Sequence, residues 1–386
     1  MKGLVVIIDG CNPEYINEEA TPFLYALKEK GGYMEISFTP TFANRVEIFT
    51  GKSPRTTDTF VDFCYDPKRS PFKFLKFLRK KVTLKNRSPT VRKLLSLCSF
   101  LSSGFFVDPI NIPLSFLPYF SLNESMIKFL NDERKRTEEH LFGVLEREGF
   151  EVDFLYGTTV GVMKRVMGML HGERKVLFVH FGETDGIGHK CGPNSPEMRK
   201  TLRLISAAIK KIFESGKFDF IFVFGDHNMV QVHENLNLWQ GLRKLEIKPL
   251  QDYIFFLNSP MARFWFRNER AEEIVKEHLS SLKCGKVVTK KELKKREIPV
   301  HEKYGELIFW MKKGINISPD FYHTQKVKGM HGYLDEDARV PFIAFRKDGE
   351  LRMRKRGRLR DIAPTLLDLL GVRSERMEGR SLLKRK

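Results

Sequence analysis

Short continuous runs of apolar residues, most of them β-branched or aromatic, recur along the chain and predict buried strands. The strongest runs lie at residues 4–8, 176–181 and 218–224. Strands covered on both faces form such unbroken apolar segments, whereas strands with one solvated face alternate. Apolar residues at helical spacing predict helices at residues 22–30, 131–148, 160–170 and 196–215. Because strands and helices alternate, we expect an α/β fold.

Two long segments interrupt this alternation and are interpreted as insertions, at residues 64–127 and about 229–328. Residues 67–93 contain eleven Lys or Arg and no acid, and Phe74, Phe77 and Leu78 fall at helical spacing. One interpretation is a patch for anionic lipid or a mouth for a polyanionic substrate. The other, which we favour, is a cap whose phenylalanines pack on the main domain. The second insertion is expected to be a small α/β unit.

Polar residues follow three of the predicted strands at the point where each strand ends. Asp9 follows the first run, Asp185 and His189 follow the second, and the pair 226–227 (Asp-His) follows the third. Open α/β sheets place their chemistry at the carboxyl ends of strands. The glycines around Asp185 and His189 predict a loop that carries both side chains. The alternative is that Asp185 caps a helix and His189 is a surface histidine.

A threonine and a further histidine extend this set. Thr41 lies between a predicted strand at residues 33–38 and an apolar helix from residue 46, where a hydroxyl can cap the helix, face a phosphate, or do both. His331 lies between glycines just before a strand at 340–345. The mixture of oxygen and nitrogen ligands suits zinc, or manganese and iron, better than calcium or magnesium. The complete set is Asp9, Thr41, Asp185, His189, Asp226, His227 and His331.

The composition narrows the possible partners and location. The 386 residues carry a formal net charge of +19, which favours an anionic partner without identifying it. Five scattered cysteines without a CxxC pair indicate a reducing compartment, and no secretory signal pattern opens the chain. We therefore expect a cytoplasmic protein, and contact with an anionic membrane surface through residues 67–122 is left open as the alternative to a packed cap. The 30% of charged residues and the few glutamines lean toward a thermophilic source.

Five motifs, in order, resemble the type I phosphodiesterase and nucleotide pyrophosphatase group of the alkaline phosphatase superfamily. They are IIDG, TPTFANRVEIFTGKSP, FGETDGIGHKCGP, VFGDHNM and GMHGY. The resemblance covers nearly the whole chain and implies one catalytic domain over 1–386. Its fold would be a doubly wound, mixed but mostly parallel sheet sandwiched by helices, with cap insertions. The chain departs from the usual motifs at Ala43 and Asn228, and it lacks a His-Gly pair near residues 56–58.

The resemblance also implies roles for the residues of the site. One divalent metal would be held by Asp185, His189 and His331, and another by Asp9, Asp226 and His227. Thr41 would contact the metals and attack phosphorus, forming a phosphothreonine that water then hydrolyses. Asn44 and the backbone N–H after Thr41 would steady the phosphoryl oxygens. Arg45 either clamps a phosphate or faces solvent.

The expected function is therefore metal-dependent hydrolysis of a phosphorylated small molecule or nucleotide-type diester. A phosphomonoesterase, or a transferase of phosphoryl or phosphoglycerol type, would use the same scaffold. A basic membrane- or nucleic-acid-binding protein without catalysis is the alternative from another class, although we expect no stable nucleic-acid complex. The oligomeric state is left open. Four further polar residues near the motifs are interpreted as supporting or structural, namely His180, Glu183, His233 and His323.

Overall fold

The computed structural model describes residues 1–77, 87–104, 106–373 and 375–384. The strands, in chain order, are β1 (Gly3–Ile8), β2 (Gly32–Ser37), β3 (Phe63–Tyr65), β4 (Phe120–Leu122), β5 (Glu151–Gly157), β6 (Lys175–Phe181), β7 (Phe220–Gly225), β8 (Val230–Gln231), β9 (Glu234–Leu236), β10 (Tyr253–Asn258), β11 (Met261–Phe266), β12 (Gly285–Val287), β13 (Leu307–Met311), β14 (Ile315–Ile317), β15 (Gly329–Met330) and β16 (Arg339–Arg346).

The helices connect these strands and cover the sheets. They are α1 (Pro22–Lys30), α2 (Asn44–Thr50), α3 (Pro54–Thr57), α4 (Pro89–Ser103), α5 (Glu124–Lys135), α6 (Leu141–Arg147), α7 (Thr159–Val166), α8 (Glu183–Cys191), α9 (Pro196–Ser215), α10 (Leu238–Leu242), α11 (Glu269–Ser281), α12 (Lys290–Lys295) and α13 (Ile362–Leu369). Among the described residues, no helix combines the length and apolar character needed to cross a bilayer.

The main sheet has the strand order β2-β16-β7-β1-β6-β5. Strand β16 runs antiparallel to both of its neighbours, whereas β1, β5, β6 and β7 are parallel. On β1, Val5 and Ile7 join the core under α2, α6 and α13, and Val6 and Ile8 join the core under α1, α7 and α9. Each face of the sheet therefore has its own helical layer, which confirms the predicted mixed, mostly parallel α/β sheet.

The register of the central strands brings their carboxyl ends to the same level. Ile8, the last residue of β1, pairs with Phe181 of β6 on one side and with Gly225 of β7 on the other. The residues that follow all three strands consequently emerge at one edge of the sheet. This edge is where the sequence places Asp9, Asp185 and Asp226.

The segment at residues 64–127 packs differently from the expected cap on the main domain. A separate four-stranded sheet has the order β10-β11-β13-β12. Phe72, Phe116 and Phe120 are buried in one apolar cluster with Phe255 and Phe256 of β10. The two predicted insertions therefore share a core with each other. The predicted helical pattern at 74–78 is also wrong where it can be seen, since Lys73–Phe77 forms a 3₁₀ turn; residue 78 lies outside the described residues.

The single helix predicted at residues 131–148 is wrong, because two helices share this stretch. Helix α5 ends at Lys135, where Arg136 adopts a left-handed conformation with φ of 54°, and α6 begins at Leu141. Gly143 of α6 lies against the carbonyls of Arg136 and Thr137, where an added Cβ would come within 2.2 Å of both oxygens. The periodic charges hide this turn, because the close contact that fixes it depends on the absence of a side chain at Gly143.

We predict that Arg263→Met lowers the free energy of unfolding, because it removes buried hydrogen bonds that Arg263 makes to β3 and β10. Arg263 of β11 is fully buried, and its guanidinium donates to Asn258 Oδ1 at 2.7 Å and to the carbonyl of Phe63 at 2.9 Å. Methionine fills similar volume but leaves both acceptors unpaired, so urea denaturation should show a loss of about 3–5 kcal/mol. The matched change at exposed Arg267 should cost less than about 1 kcal/mol. Equal effects would show that the buried bonds contribute nothing.

We predict that Glu47→Gln stabilises the protein in a pH-dependent way. Glu47 of α2 is 1% exposed, neither carboxylate oxygen has an aligned hydrogen bond within the described part of the chain, and burial raises its pKa to about 8. Between about pH 5 and pH 8 the folded state therefore binds more protons than the unfolded state, so the ionisable carboxyl lowers stability as pH rises.

Urea denaturation should show Glu47→Gln gaining about 2–4 kcal/mol at about pH 8 and little at about pH 5. Glu35→Gln, an exposed change on β2, should be neutral at both pH values. A gain of the same size at both pH values would contradict the protonated state of Glu47.

Candidate active site

Asp9, Asp226 and His227 form the first group of side chains at the sheet edge. Asp9 Oδ1 lies 3.0 Å from His227 Nε2, and Asp226 Oδ1 lies 3.8 Å from the same nitrogen. Asp226 Oδ1 also accepts hydrogen bonds from the backbone N–H groups of Gly10 and His227, at 3.1 and 2.9 Å. Gly10 has a positive φ of 67°, so the chain turns immediately after Asp9 and brings this donor into place.

Asp185 and His189 form the second group, on a helix rather than in the predicted loop. They lie four residues apart on α8, so both side chains project from one face. Asp185 Oδ1 is 3.2 Å from His189 Nε2, while His189 Nδ1 contacts the carbonyl of Gly329 at 2.9 Å. The loop prediction is therefore wrong, and the glycines at 186 and 188 are helical. The helix still directs both side chains toward the same site, as the loop was expected to do.

A short pair of strands positions His331 beside the other candidate ligands. Strand β15 pairs antiparallel with β8, which begins three residues after His227. An added Cβ at Gly329 would come within 2.4 Å of the carbonyl oxygen of Gly188, so glycine is required where β15 approaches α8. The ring centroid of His331 consequently lies 3.9 Å from that of His227, with the two rings stacked.

The geometry divides these residues into two groups that share His227. One comprises Asp9, Asp226 and His227, and the other comprises Asp185, His227 and His331; within each group, one donor atom from each residue lies within 4.8 Å of the others. The first group has the same members as one predicted metal site. The second contains His227 in place of the predicted His189. Since His189 still contacts Asp185, its role as a ligand stays a prediction.

The charges in this cluster depend strongly on one another. Burial opposes ionisation of Asp9, but the imidazoles of His180 and His227 outweigh it and hold its pKa well below the ordinary range. Burial likewise opposes ionisation of Asp185, yet neighbouring His189 brings its pKa down to about 2. Burial and the negative charge of Asp9 raise the pKa of Asp226. The carboxylates need positive charge from protonated imidazoles or from a cation.

The pKa values of the histidines follow the same competition. Burial disfavours charged His227, but Asp226, Asp9 and Asp185 raise its pKa well above the ordinary value. Burial and the charge of His227 hold the pKa of His331 well below its ordinary value. The two stacked imidazoles therefore differ in their affinity for a proton. A metal at this site would compete with protons, because a histidine ligand must be neutral.

These side chains fit a divalent metal centre. Asp185 Oδ1 lies 3.7 Å from His331 Nε2 and 4.0 Å from His227 Nε2, yet it accepts no aligned hydrogen bond from any described residue. Polar atoms that converge without pairing are arranged for a ligand between them. Carboxylate and imidazole donors together suit zinc and other transition metals.

Thr41 lies just before α2 and is linked to the first group through Asn44. Thr41 is 2% exposed, and its hydroxyl donates to Asn44 Oδ1 at 2.9 Å. The amide of Asn44 donates in turn to the carbonyl of Asp226 at 3.0 Å. One hydrogen of the Asn44 amide therefore has a partner, and the other is available for a phosphoryl oxygen. The backbone N–H of Ala43 lies 3.4 Å from the Thr41 hydroxyl oxygen.

The Arg45 side chain is 31% exposed and is paired with a carboxylate. Its guanidinium donates to both oxygens of Glu133, at 3.0 and 3.2 Å, and lies 5.1 Å from the ring centroid of Phe154. A phosphate clamp would require Arg45 to leave Glu133. That role stays a prediction.

Sequence reasoning underrated His180, the one polar side chain of β6 that contacts the site. His180 Nε2 lies 3.2 Å from Asp9 Oδ2, so Asp9 is held between two imidazoles. The sequence feature that marks His180 is its position inside the otherwise apolar run at 176–181. Glu183 is structural, since it accepts hydrogen bonds from the backbone and hydroxyl of Thr159.

Aromatic and imidazole rings line the side of the site near His331. The ring of Phe42 lies 5.6 Å from that of His331 and nearly parallel to Tyr322, with centroids 6.4 Å apart. His323 lies 5.1 Å from the ring of His189 and is held by the hydroxyl of Ser259 at 3.2 Å. Tyr322 and His323 come from the second insertion, a few residues before the GMHGY motif. They meet Phe42 and His189, which are distant from them in sequence.

Comparisons with known proteins show the family and the fold. The family model described as type I phosphodiesterase / nucleotide pyrophosphatase matches residues 4–334. Murine ectonucleotide pyrophosphatase/phosphodiesterase 5 is similar over 100% of both chains, with a TM-score of 0.67 and 15% identity. An inactive form of that murine protein, solved in complex with AMP, gives 0.66 with 15% identity over 100% of both chains. The human protein gives 0.66 with 16% identity, again over 100% of both chains.

Two curated relatives match a shorter part of the chain. GPI ethanolamine phosphate transferase 3, catalytic subunit, of Mus musculus is 32% identical over 117 residues, which are 30% of this chain and 10% of that protein. The Homo sapiens protein is 36% identical over 94 residues, which are 24% of this chain and 8% of that protein. The match thus spans about a tenth of the length of these relatives. The family model covers most of the chain, and the protein belongs to the type I phosphodiesterase / nucleotide pyrophosphatase family.

Proposed function

We propose that this protein hydrolyses phosphate diesters of nucleotide type, using Thr41 as the nucleophile beside two divalent metals. Family membership and fold support phosphoester chemistry in general. The observation that carries the finer proposal is the pair of ligand groups sharing His227, with Thr41 linked to one of them through Asn44. Zinc suits the ligand types best, with manganese or iron as alternatives.

Thr41 is oriented by a group that cannot act as its base. Because an amide oxygen is a very weak base, Asn44 directs the hydroxyl without removing its proton. A bound divalent cation supplies the missing chemistry, since it lowers the pKa of a nearby hydroxyl and offsets negative charge on phosphoryl oxygens. Asn44 fixes the direction of attack, and its free amide hydrogen can stabilise the charge that develops on phosphorus oxygens.

The reaction then proceeds in two steps. A bond forms between Thr41 Oγ1 and phosphorus as the bond to the leaving oxygen breaks; the Thr41 proton passes to solvent, and the leaving oxygen takes a proton from solvent. Water then attacks phosphorus as the bond to Thr41 Oγ1 breaks, and a proton given up by that water restores the Thr41 hydroxyl. Thr41 and Asn44 are 2% and 5% exposed. Their surroundings therefore hold both side chains in place, as a displacement at phosphorus requires.

The aromatic lining supports a substrate with a planar group. Phe42 follows the nucleophile directly, and its ring is nearly parallel to Tyr322 at an interplanar angle of 6°. Planar rings stack on such faces whatever their hydrogen-bonding pattern. The structural neighbour solved with AMP binds a nucleotide. We therefore place a nucleotide-type group on this side of the site.

Transfer to an acceptor other than water is the second candidate. The identity of 32% over 117 residues with an ethanolamine phosphate transferase favours it. The phosphothreonine would be attacked by an acceptor hydroxyl, whose oxygen bonds to phosphorus as the bond to Thr41 breaks. A turnover assay with and without an added alcohol distinguishes hydrolysis from transfer, because transfer places the phosphoryl group on the alcohol. The substrates to compare are nucleotide diesters, nucleotide sugars, phospholipid headgroups and monoesters.

We predict that Thr41→Ala lowers turnover of an aryl phosphodiester at least about a thousandfold, because no nucleophile remains. Bound metal, measured by elemental analysis, should be unchanged, since Thr41 belongs to neither three-residue group. Thr41→Ser is the matched control and should keep part of the activity. Unchanged turnover in Thr41→Ala would exclude Thr41 as the nucleophile.

We predict that His227→Ala removes more metal than a change in either group alone. His227 Nε2 has one lone pair and binds one metal at a time, but it lies 3.0 Å from Asp9 Oδ1 and 4.0 Å from Asp185 Oδ1, one member of each group. Its loss should remove one metal and weaken the other, whereas Asp9→Asn should lower one. Elemental analysis after dialysis measures the metal per chain. The control is His301→Ala, a change at an exposed histidine outside both groups. Full retention of one metal in His227→Ala would show that the two sites are independent.

A further inference from the structure

The helix α4 in the first insertion exposes a stripe of leucines. Leu94, Leu97 and Leu101 are 59%, 46% and 77% exposed. Their spacing of three and four residues puts them on one face of the helix. Isolated exposed leucines are ordinary on a protein surface, whereas a row along one helix face is a contiguous apolar patch.

The opposite face of α4 is already packed, so the leucine stripe is a second apolar face. Leu95 is buried in the apolar cluster that includes Val107 and Phe116. The helix start is fixed by Ser88, whose hydroxyl accepts from the N–H of Val91, and Arg92 Nε donates to Asp108 at 2.9 Å. The helix therefore does not depend on the leucine stripe for its attachment to the fold.

Two exposed aromatic rings extend the patch at the end of the helix. Phe100 and Phe106 are 41% and 65% exposed. Their rings stack with centroids 4.3 Å apart and an interplanar angle of 9°. Aromatic side chains beside leucines are characteristic of helices that lie in the boundary layer of a bilayer.

Positive charge accompanies this patch. Lys93 is exposed beside Leu94, and Lys73 and Lys76 are exposed in the preceding part of the insertion. None of the three has an ion pair within the described ranges, although Arg69 pairs with Glu124. Unpaired lysines with long apolar stems can place their charges among anionic headgroups.

We propose that α4 is a docking surface for an anionic lipid bilayer, with its leucine stripe inserted at the headgroup boundary and Lys93 in contact with the headgroups. The length of α4, fifteen residues, is too short to span a bilayer, so the helix would lie parallel to the surface. This proposal is independent of the catalytic chemistry at the sheet edge. The surface lies in the insertion and uses no residue of the active site.

The test is co-sedimentation of the full chain with vesicles of phosphatidylcholine alone and of phosphatidylcholine mixed with phosphatidylglycerol. The protein should bind the anionic vesicles and bind the neutral ones much less. The double variant Leu97→Asp, Leu101→Asp should bind at least about tenfold more weakly, because it places charge where apolar groups insert. Lys93→Glu should weaken binding to anionic vesicles only.

Matched changes on α9 give the controls. Leu204 is 54% exposed and Lys200 is exposed, so Leu204→Asp and Lys200→Glu should bind like the parent protein. Circular dichroism of every variant checks folding. Undiminished binding in the α4 double variant, or no binding by the parent protein, would overturn the proposal. So would sedimentation velocity showing a parent dimer that the double variant converts to monomer, since a second copy would then cover α4.

Discussion

Three carboxylates at the ends of three adjacent parallel strands, one buried and two partly buried, impose the main constraint on this structure. Like charges in a poorly solvated space repel one another unless cations or bound protons separate them. Here Asp226 draws on backbone N–H groups, Asp9 lies between His180 and His227, and Asp185 lies against His189. The register that aligns Ile8 with Phe181 and Gly225 creates this concentration of charge. The same register makes the edge suitable for metal ions.

Much of this arrangement could be predicted because it is local. A buried strand is an apolar run, and a polar residue directly after it must lie at the sheet edge, as Asp9 and Asp226 do. The helical conformation of α8 was missed, because three glycines in FGETDGIG suggested a turn. Two of those glycines instead permit close packing, Gly182 against Tyr156 and Gly188 against Gly329, whereas Gly186 faces open space. Composition alone does not distinguish these two uses of glycine.

The sharing of His227, the contact of His180 with Asp9, and the mutual packing of the two insertions could not be predicted. Each depends on segments that are distant in sequence, as when Phe72 and Phe120 meet Phe256 of β10. Tyr322 and His323 reach the site for the same reason. The second insertion thus contributes both to the core that it shares with the first insertion and to the wall of the active site. Substrate preference is expected to depend on it.

The candidate metal ligands and the proposed membrane surface belong to different parts of the chain. The ligand-type side chains lie at the edge of the main sheet, whereas the exposed leucines and Lys93 belong to α4 in the first insertion. A cytoplasmic location with peripheral membrane contact stays a prediction, and so does the thermophilic source.

The central claim, that two metals lie at the strand ends around His227, is tested most directly by anomalous X-ray diffraction at the zinc edge on crystals grown with zinc. The account predicts two anomalous peaks, one beside Asp9 and Asp226 and the other beside Asp185 and His331, with His227 between them. A single peak, or peaks away from His227, would contradict it.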